Sequence, residues 1–186
     1  MRTLALALIP RAVALNLALG AVVSALKLPF YLDSVGTILV AALVGPWAGI
    51  LTGIVSNAVL GLLSTPTFFA FIPVAIVVGG LAGIAAWMGA FRSIAASIAA
   101  GVVIGVAAGL ASVPILIVLF GGVTASGTGL VTLALRALPL PLPVAAAIAS
   151  TSTDIIDKAF SCALVAIVIA RLPRRLTSRF SAAHAG

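Results

Sequence analysis

The chain consists almost entirely of long apolar runs, separated by short clusters of polar residues, glycine and proline. Within the runs the apolar residues are continuous and do not alternate with polar ones, which favours α-helices over β-strands. A helix needs about 20 such residues to cross the hydrocarbon core of a bilayer. The pattern therefore predicts an all-α integral membrane bundle of about six transmembrane helices. The predicted spans are about residues 12–28, 34–44, 47–63, 69–88, 93–120 and 144–170.

Glycine and proline mark the predicted ends and irregularities of these helices. Gly45 and Pro46 predict a tight turn after the short second span. Pro114 predicts a kink inside the fifth span, because proline removes a backbone donor. Residues 130–138 form a short apolar piece, which we interpret as a surface or re-entrant helix. Because the spans use most of the length, the sequence predicts a single membrane domain over residues 1–186.

The composition excludes a soluble protein. Of the 186 residues 63% are hydrophobic and 7% are charged, whereas soluble domains carry about 25% charged residues. Lipid bilayer is therefore the expected main solvent, where backbone hydrogen bonds must be closed within the helices. The net charge of +7 does not indicate nucleic-acid binding, because basic residues cluster at the ends of apolar runs.

The basic residues predict the orientation, since loops on the cytoplasmic side carry an excess of lysine and arginine. With a cytoplasmic N-terminus, seven arginines lie on that side, and the opposite orientation would place them all outside. We therefore expect both termini to be cytoplasmic, with a basic tail over residues 171–186 that faces anionic lipid. The seven are Arg2, Arg11, Arg92, Arg171, Arg174, Arg175 and Arg179.

The only acidic residues are Asp33, Asp154 and Asp157, and the last two lie beside Lys158 inside the sixth span. Charges within a span are costly, and they usually pair with one another or face a cavity. Residues 154 and 158 share a helix face, and the two carboxylates can converge on one point. The cluster is either an internal ion pair or a ligand site, and the number of charges favours the ligand site.

Other polar residues allow two interpretations each. Asp33 begins the second span, where it could cap the helix or contact a ligand. Asn16 and Asn57 are amides inside spans, and each could link helices or contact a ligand. Tyr31 belongs to a group of aromatic residues near the predicted outer ends, most of which suit the bilayer interface, although one or two could stack on a flat ligand.

Several chemistries are missing from the sequence. It contains no G-x-x-x-x-G-K-[ST] motif, so we do not expect the chain to hydrolyse ATP. The single histidine, His184, lies in the tail and the single cysteine, Cys162, in an apolar run, so we expect no metal site and no cofactor. The D-x-x-D pair at Asp154 and Asp157 is a weak signal for a metal-dependent transferase. We therefore expect a protein that is not an enzyme.

Small residues recur at a spacing of four in several spans, a pattern typical of helices that pack closely. The glycine pairs of the third to fifth spans are interpreted as packing within the chain. The pairs Ala14/Ala18 and Ala21/Ala25 differ, because a terminal helix has one side free for a partner.

The order and spacing of several segments resemble the substrate-binding (S) components of energy-coupling factor (ECF) transporters, over about residues 12 to 173. The segments are Tyr31-Leu-Asp-Ser-Val-Gly-Thr-Ile, Gly45-Pro-Trp-Ala-Gly-Ile-Leu-Thr-Gly53, Ser56-Asn57, Phe120-Gly-Gly-Val-Thr124, Asp157-Lys158 and Leu172-Pro-Arg-Arg175. The resemblance implies a six-helix subunit of an ABC importer in the prokaryotic cytoplasmic membrane, which captures a vitamin or related small micronutrient.

The resemblance also implies partners and a site. The partners are a transmembrane coupling subunit, onto which Ala14, Ala18, Ala21 and Ala25 would dock, and two cytoplasmic ATPase subunits. The ligand site would lie near the outer face. Its expected residues are Asp33, Asn57, Asp154, Asp157, Lys158 and Tyr31.

Two other functions remain open. The chain could be a stand-alone secondary carrier or channel that uses Asp154, Asp157 and Lys158 as a proton relay, or a membrane sensor module. The sensor is the weaker expectation, because the sequence carries no signalling domain. The charges of the cluster favour a cationic, zwitterionic or donor-rich small molecule.

Overall fold

The computed structural model describes residues 2–26, 28, 30–124 and 127–172. Over these residues it contains α-helices, short 3₁₀ segments and turns, and no strand, which confirms the all-α prediction. The α-helices are α1 (Arg2–Ala25), α2 (Val35–Val44), α3 (Pro46–Leu63), α4 (Ile72–Trp87), α5 (Ile94–Phe120), α6 (Gly127–Leu135) and α7 (Leu142–Arg171). The 3₁₀ segments are Pro66–Phe71 and Ala90–Arg92.

Among the described residues, four helical segments are long and apolar enough to cross a membrane: Ala7–Ala25, Pro46–Leu63, Pro66–Trp87 and Ile94–Phe120. They indicate a multi-pass membrane protein. The other two predicted spans correspond to α2 and α7. Helix α2 has only 10 residues, and α7 has 30 residues but includes three charged ones in its interior. Membrane crossing by α2 and α7 stays a prediction.

Helix α2 lies inside the bundle and packs against α1, α3, α4 and α7. Ile38, Val40 and Ala41 are completely buried. Because neighbouring helices surround α2, most of its apolar surface contacts protein and not lipid. A short helix is stable in this position, and its first residue directly follows the loop that carries Asp33.

Helices α5 and α7 approach each other closely because α5 has glycine at three successive contact positions. A β-carbon on Gly101, Gly105 or Gly109 would lie 2.5 Å from a Cα atom of α7, which is far inside van der Waals contact. The carbonyl oxygens of Lys158 and Asp154 lie against Gly101 and Gly105, respectively. This stripe therefore serves packing within the chain, as predicted, and it supports the α7 backbone that carries the charged cluster.

Helix α1 begins earlier and ends earlier than the predicted span 12–28. It runs from Arg2 to Ala25, with Pro10 inside it and Arg11 directly after. The predicted span begins where charged residues give way to apolar ones, but an arginine can be part of a helix and extend its guanidinium group to water. Arg11 therefore lies inside α1 and does not mark the start of the helix.

The short apolar piece predicted at residues 130–138 corresponds in part to helix α6, which begins and ends three residues earlier, at Gly127 and Leu135, and packs against α7. Thr128 and Thr132 are buried, whereas Leu130 and Leu133 are exposed. With nine residues this helix is too short to cross a bilayer. The predicted basic tail begins at Arg171, the last residue of α7, and residues 173–186 lie outside the described residues.

Candidate functional site

The candidate site is built on one face of α7. Ser150, Asp154, Asp157 and Ser161 follow one another at intervals of three or four residues, so they project from the same side of the helix. All four are buried. Helix α7 thus presents an uninterrupted polar stripe to the interior of the bundle.

Lys158 lies at the centre of a group of three carboxylates. Its ammonium donates a hydrogen bond to Asp157 Oδ2. The same Nζ atom is 3.8 Å from Asp154 Oδ1 and 3.9 Å from Asp33 Oδ1. The structure therefore brings together four of the predicted site residues, one of which comes from a loop more than 100 positions away in the chain.

Asp157 attaches the loop between α1 and α2 to α7. Its Oδ1 atom accepts hydrogen bonds from the backbone N–H groups of Tyr31, at 3.0 Å, and Leu32, at 2.7 Å. Leu32 has a φ of 50°, a left-handed conformation that is unfavourable for its branched side chain. Consecutive N–H groups that converge on one oxygen form a typical anion-binding turn. The carboxylate of Asp157 therefore stabilises an unusual loop conformation.

Asp154 and Asp33 are held less tightly than Asp157. Their distances to Lys158 exceed those of a hydrogen bond. Asp154 Oδ2 accepts a long bond of 3.5 Å from Ser150, whose hydroxyl also contacts Ser112 of α5 at 2.6 Å. The exposed fraction of the side chain falls from 37% for Asp33 through 10% for Asp154 to 0% for Asp157. The cluster is therefore accessible from the side of Asp33.

The capping interpretation of Asp33 is not supported, because Ser34 occupies the N-cap of α2. Asp33 instead forms an ion pair with Lys158. Tyr31 connects the same loop to α6, since its hydroxyl is 2.5 Å from the Thr128 hydroxyl. The loop thus contacts both α6 and α7 around the cluster, although the role of Tyr31 in ligand binding stays a prediction.

The two asparagines lie in different surroundings. Asn16 is fully buried; its amide nitrogen donates to Thr37 and Ser56, both at 2.9 Å, and its oxygen accepts from the Gly36 N–H. This confirms that Asn16 links helices. Asn57 donates to a carbonyl one turn earlier in α3, at 3.2 Å. That bond engages its amide nitrogen, and its predicted ligand contact remains untested.

The alanines of the predicted docking stripe lie on the opposite side of α1 from Asn16. Ala14, Ala18, Ala21 and Ala25 are all exposed. The alanine face of α1, defined by these four residues, is directed away from the rest of the bundle, unlike the glycine stripe of α5.

Within the described part of the chain, no group of three or more His, Cys, Asp and Glu side chains could hold a metal ion. Comparison of the chain with protein-family models, with curated proteins and with solved structures finds no match. The fold and the site together define a multi-pass helical membrane protein with a buried aspartate–lysine cluster under an interhelical loop.

Sequence reasoning missed two parts of this site. One is the contact between the hydroxyls of Ser112 and Ser150, and the other is the pair of backbone donors that bind Asp157. The first follows from the packing of α5 on α7, for which the glycine stripe was the available signal. The second depends on backbone direction in a loop, for which residue types give no signal.

Proposed function

We propose that this chain is the membrane-embedded substrate-binding subunit of an ECF-type ABC importer, and that it captures a vitamin or related small micronutrient for ATP-driven uptake. Helices α1, α2, α3, α4, α5 and α7 would be its six spans in the prokaryotic cytoplasmic membrane. An even number of spans brings both termini to the same side, and the positions of the basic residues favour the cytoplasm.

The exposed alanine face of α1 carries this proposal. The glycine stripe of α5 is already in contact with α7, and Gly49 and Gly79 face each other between α3 and α4. The alanine face remains open. Small residues on a lipid-exposed helix let a second helix approach closely. A surface of this kind suits docking onto a transmembrane coupling subunit, through which two ATPase subunits would supply the energy.

The same helix is connected to the candidate site, which suits a protein that couples ligand capture to docking. Behind the alanine face, Asn16 accepts a hydrogen bond from the N–H of Gly36, at 2.6 Å. Gly36 lies in the first turn of α2, three residues after Asp33. A shift of α1 against a coupling subunit would therefore act directly on the backbone beside the charged cluster.

The depth of the cluster supports a site that is open to the outside. At a rise of about 1.5 Å per residue, Asp154 and Asp157 lie about 20–25 Å along α7 from Arg171. The hydrocarbon core is about 30 Å thick. If Arg171 marks the cytoplasmic boundary, the cluster lies in the outer half of the bilayer, with Asp33 nearest the outer surface.

Docking is tested by co-purification of the tagged chain with an ECF coupling subunit and its ATPases. Ala18→Leu and Ala21→Leu add bulk to the alanine face, and we expect them to abolish complex formation while membrane insertion is kept. Ala99→Leu is the matched control, because Ala99 is an exposed alanine on α5. Survival of the complex in both α1 variants would contradict the docking role.

A stand-alone carrier is the second candidate, because polar groups are connected from Ser112 through Ser150 and Asp154 to Lys158. Intramembrane carboxylates of this kind occur in proton relays. Liposomes that contain only this chain separate the two functions. Uptake driven by a proton gradient, without coupling subunit or ATP, would favour the carrier and oppose the importer.

A further inference from the structure

We propose that the candidate site selects a compact organic cation, such as an ammonium or amidinium group, and holds it against Asp33 and Asp154 on the exposed side of Lys158. This inference rests on the proposed function, because it assigns a ligand class to the site that the importer would use. It narrows the chemistry of the ligand to positively charged groups that donate hydrogen bonds.

The balance of charge is the first argument. Asp33, Asp154 and Asp157 all form their ion pairs with the same ammonium, that of Lys158. Formally, the three carboxylates and one ammonium leave two negative charges uncompensated. Uncompensated charge is unfavourable in a bilayer or a buried site. An anionic ligand would increase this excess, whereas a cation would reduce it.

The distribution of hydrogen bonds is the second argument. Asp157 accepts bonds from two backbone N–H groups and from Lys158, so its carboxylate is occupied. A carboxylate can accept about four hydrogen bonds, and Asp33 and Asp154 are too far from Lys158 to receive one from it. These two therefore keep acceptor capacity for the donors of a ligand.

The geometry allows one small cationic group to contact both carboxylates. Asp33 Oδ1 and Asp154 Oδ1 both lie within 3.9 Å of one Nζ atom, so they are separated by less than twice that distance. An amidinium, which donates from two nitrogens, can span any separation below this limit, whereas a single ammonium reaches two oxygens only up to about 6 Å apart. A long diamine with widely separated charges would not be needed to neutralise them.

A buried hydroxyl without a partner is independent support for a missing polar group. Ser161 is completely buried, and its Oγ has no hydrogen-bond partner among the described residues. It lies one turn after Asp157 on the polar stripe, and the Cα–Cβ bonds of a helix tilt toward its N-terminus, which for Ser161 is the side of Asp157. The hydroxyl of Ser34, the residue directly after Asp33, is also buried and has no hydrogen-bond partner among the described residues.

The arrangement opposes a metal ion as the cation. Among the residues that the structure describes, no set of carboxylates, thiols and imidazoles could hold a metal. An organic cation would bind on the exposed side of the Lys158 ammonium, which itself lies within 3.9 Å of Asp33 and Asp154.

Three benzene derivatives of similar shape test the proposal: benzamidine is positively charged, benzamide is neutral and benzoate is negatively charged. Their affinities for the purified protein in detergent are measured by titration calorimetry, with magnesium chloride as an additional probe. We expect benzamidine to bind at least about tenfold more tightly than the other two, the factor expected for one charge-assisted hydrogen bond. Equal affinities, tighter binding of benzoate, no binding of benzamidine, or site-specific binding of magnesium would overturn the proposal.

Variants assign the binding to the two proposed residues. Asp154→Asn and Asp33→Asn are expected to weaken benzamidine binding at least about tenfold. The matched control Ser152→Ala, at an exposed position of α7, should leave affinity unchanged. If Asp154→Asn does not fold, Asp33→Asn at the exposed edge of the cluster still decides the question. Unchanged affinity in a folded Asp33→Asn variant would contradict the assignment.

The outcome is separable from that of the importer proposal. A complex with the coupling subunit combined with preferred binding of benzoate would refute the ligand class and leave the importer role intact. Selective benzamidine binding without complex formation would support the ligand class and refute the importer role.

Discussion

Replacement of Asp157 by alanine should have the largest effect of any single change in the cluster. The substitution removes the one carboxylate that is hydrogen-bonded to Lys158, and it removes the acceptor of two backbone N–H groups. Asp33 and Asp154 are too far away to replace it without movement. Lys158 would then be a buried ammonium with only distant partners.

The expected magnitude follows from these losses. Removal of one partner of a buried ion pair destabilises a protein by about 3–5 kcal/mol, and each buried donor that loses its acceptor adds about 1–3 kcal/mol. Loop relaxation would let the donors of Tyr31 and Leu32 reach other acceptors. We therefore expect Asp157→Ala to lower the free energy of unfolding by about 3–5 kcal/mol. Asp157→Asn should cost less, because its amide oxygen can still accept from both N–H groups.

Two measurements check this prediction. Unfolding of the purified protein in detergent gives the order of stability, expected as wild type, then Asp157→Asn, then Asp157→Ala. Hydrogen exchange reports the backbone N–H groups of Tyr31 and Leu32, which should exchange faster in the alanine variant than in wild type. Equal stability of both variants would show that only the charge matters. Unchanged exchange in the alanine variant would refute the anchoring of the loop by Asp157.

Three further predictions concern the scaffold and its orientation. Asn16→Ala should destabilise the protein by about 1–3 kcal/mol in an unfolding assay, because it leaves the buried Gly36 N–H without its acceptor. The control Asn57→Ala removes one bond within α3 and should cost less in the same assay. Gly105→Ala places a β-carbon 2.5 Å from an α7 backbone atom and should cost about 1–3 kcal/mol, whereas Gly80→Ala has its nearest contact at 3.6 Å and should be tolerated. A reporter fused to the C-terminus should be cytoplasmic and one inserted after α3 extracytoplasmic, and the reverse result would refute the proposed orientation.

The helices of the bundle were predictable from sequence because bilayer thickness and backbone hydrogen bonding restrict what a long apolar run can form. The boundaries of α5, predicted at residues 93–120 and observed at Ile94–Phe120, agree closely because Ser93 caps the helix and accepts a bond from the Ala96 N–H. Helix α1 begins before the predicted span, at Arg2, because a charge inside a helix does not interrupt its backbone hydrogen bonds. Capping is encoded in adjacent residues, whereas the position of the bilayer boundary is not.

The candidate site was only partly predictable, for a related reason. Asp154, Asp157 and Lys158 share one stretch of helix, so their spacing alone predicts that they lie together. The arrival of Asp33 at the same point depends on how the loop after α1 folds back toward α7. That fold depends on bonds from Tyr31 and Leu32 to Asp157, which connect parts of the chain more than 100 residues apart.

The three carboxylates therefore differ in ways that residue type does not reveal. Asp157 is completely buried and occupied by Lys158 and two backbone donors, so its charge is used to hold the loop. Lys158 donates to Asp157 and is too far from Asp33 and Asp154 to form a hydrogen bond with either. The Asp157–Lys158 pair thus leaves the other two carboxylates with acceptor capacity. Asp33 and Asp154 are thus the carboxylates of this cluster that the protein satisfies least, which is why the proposed ligand contacts are assigned to them and not to Asp157.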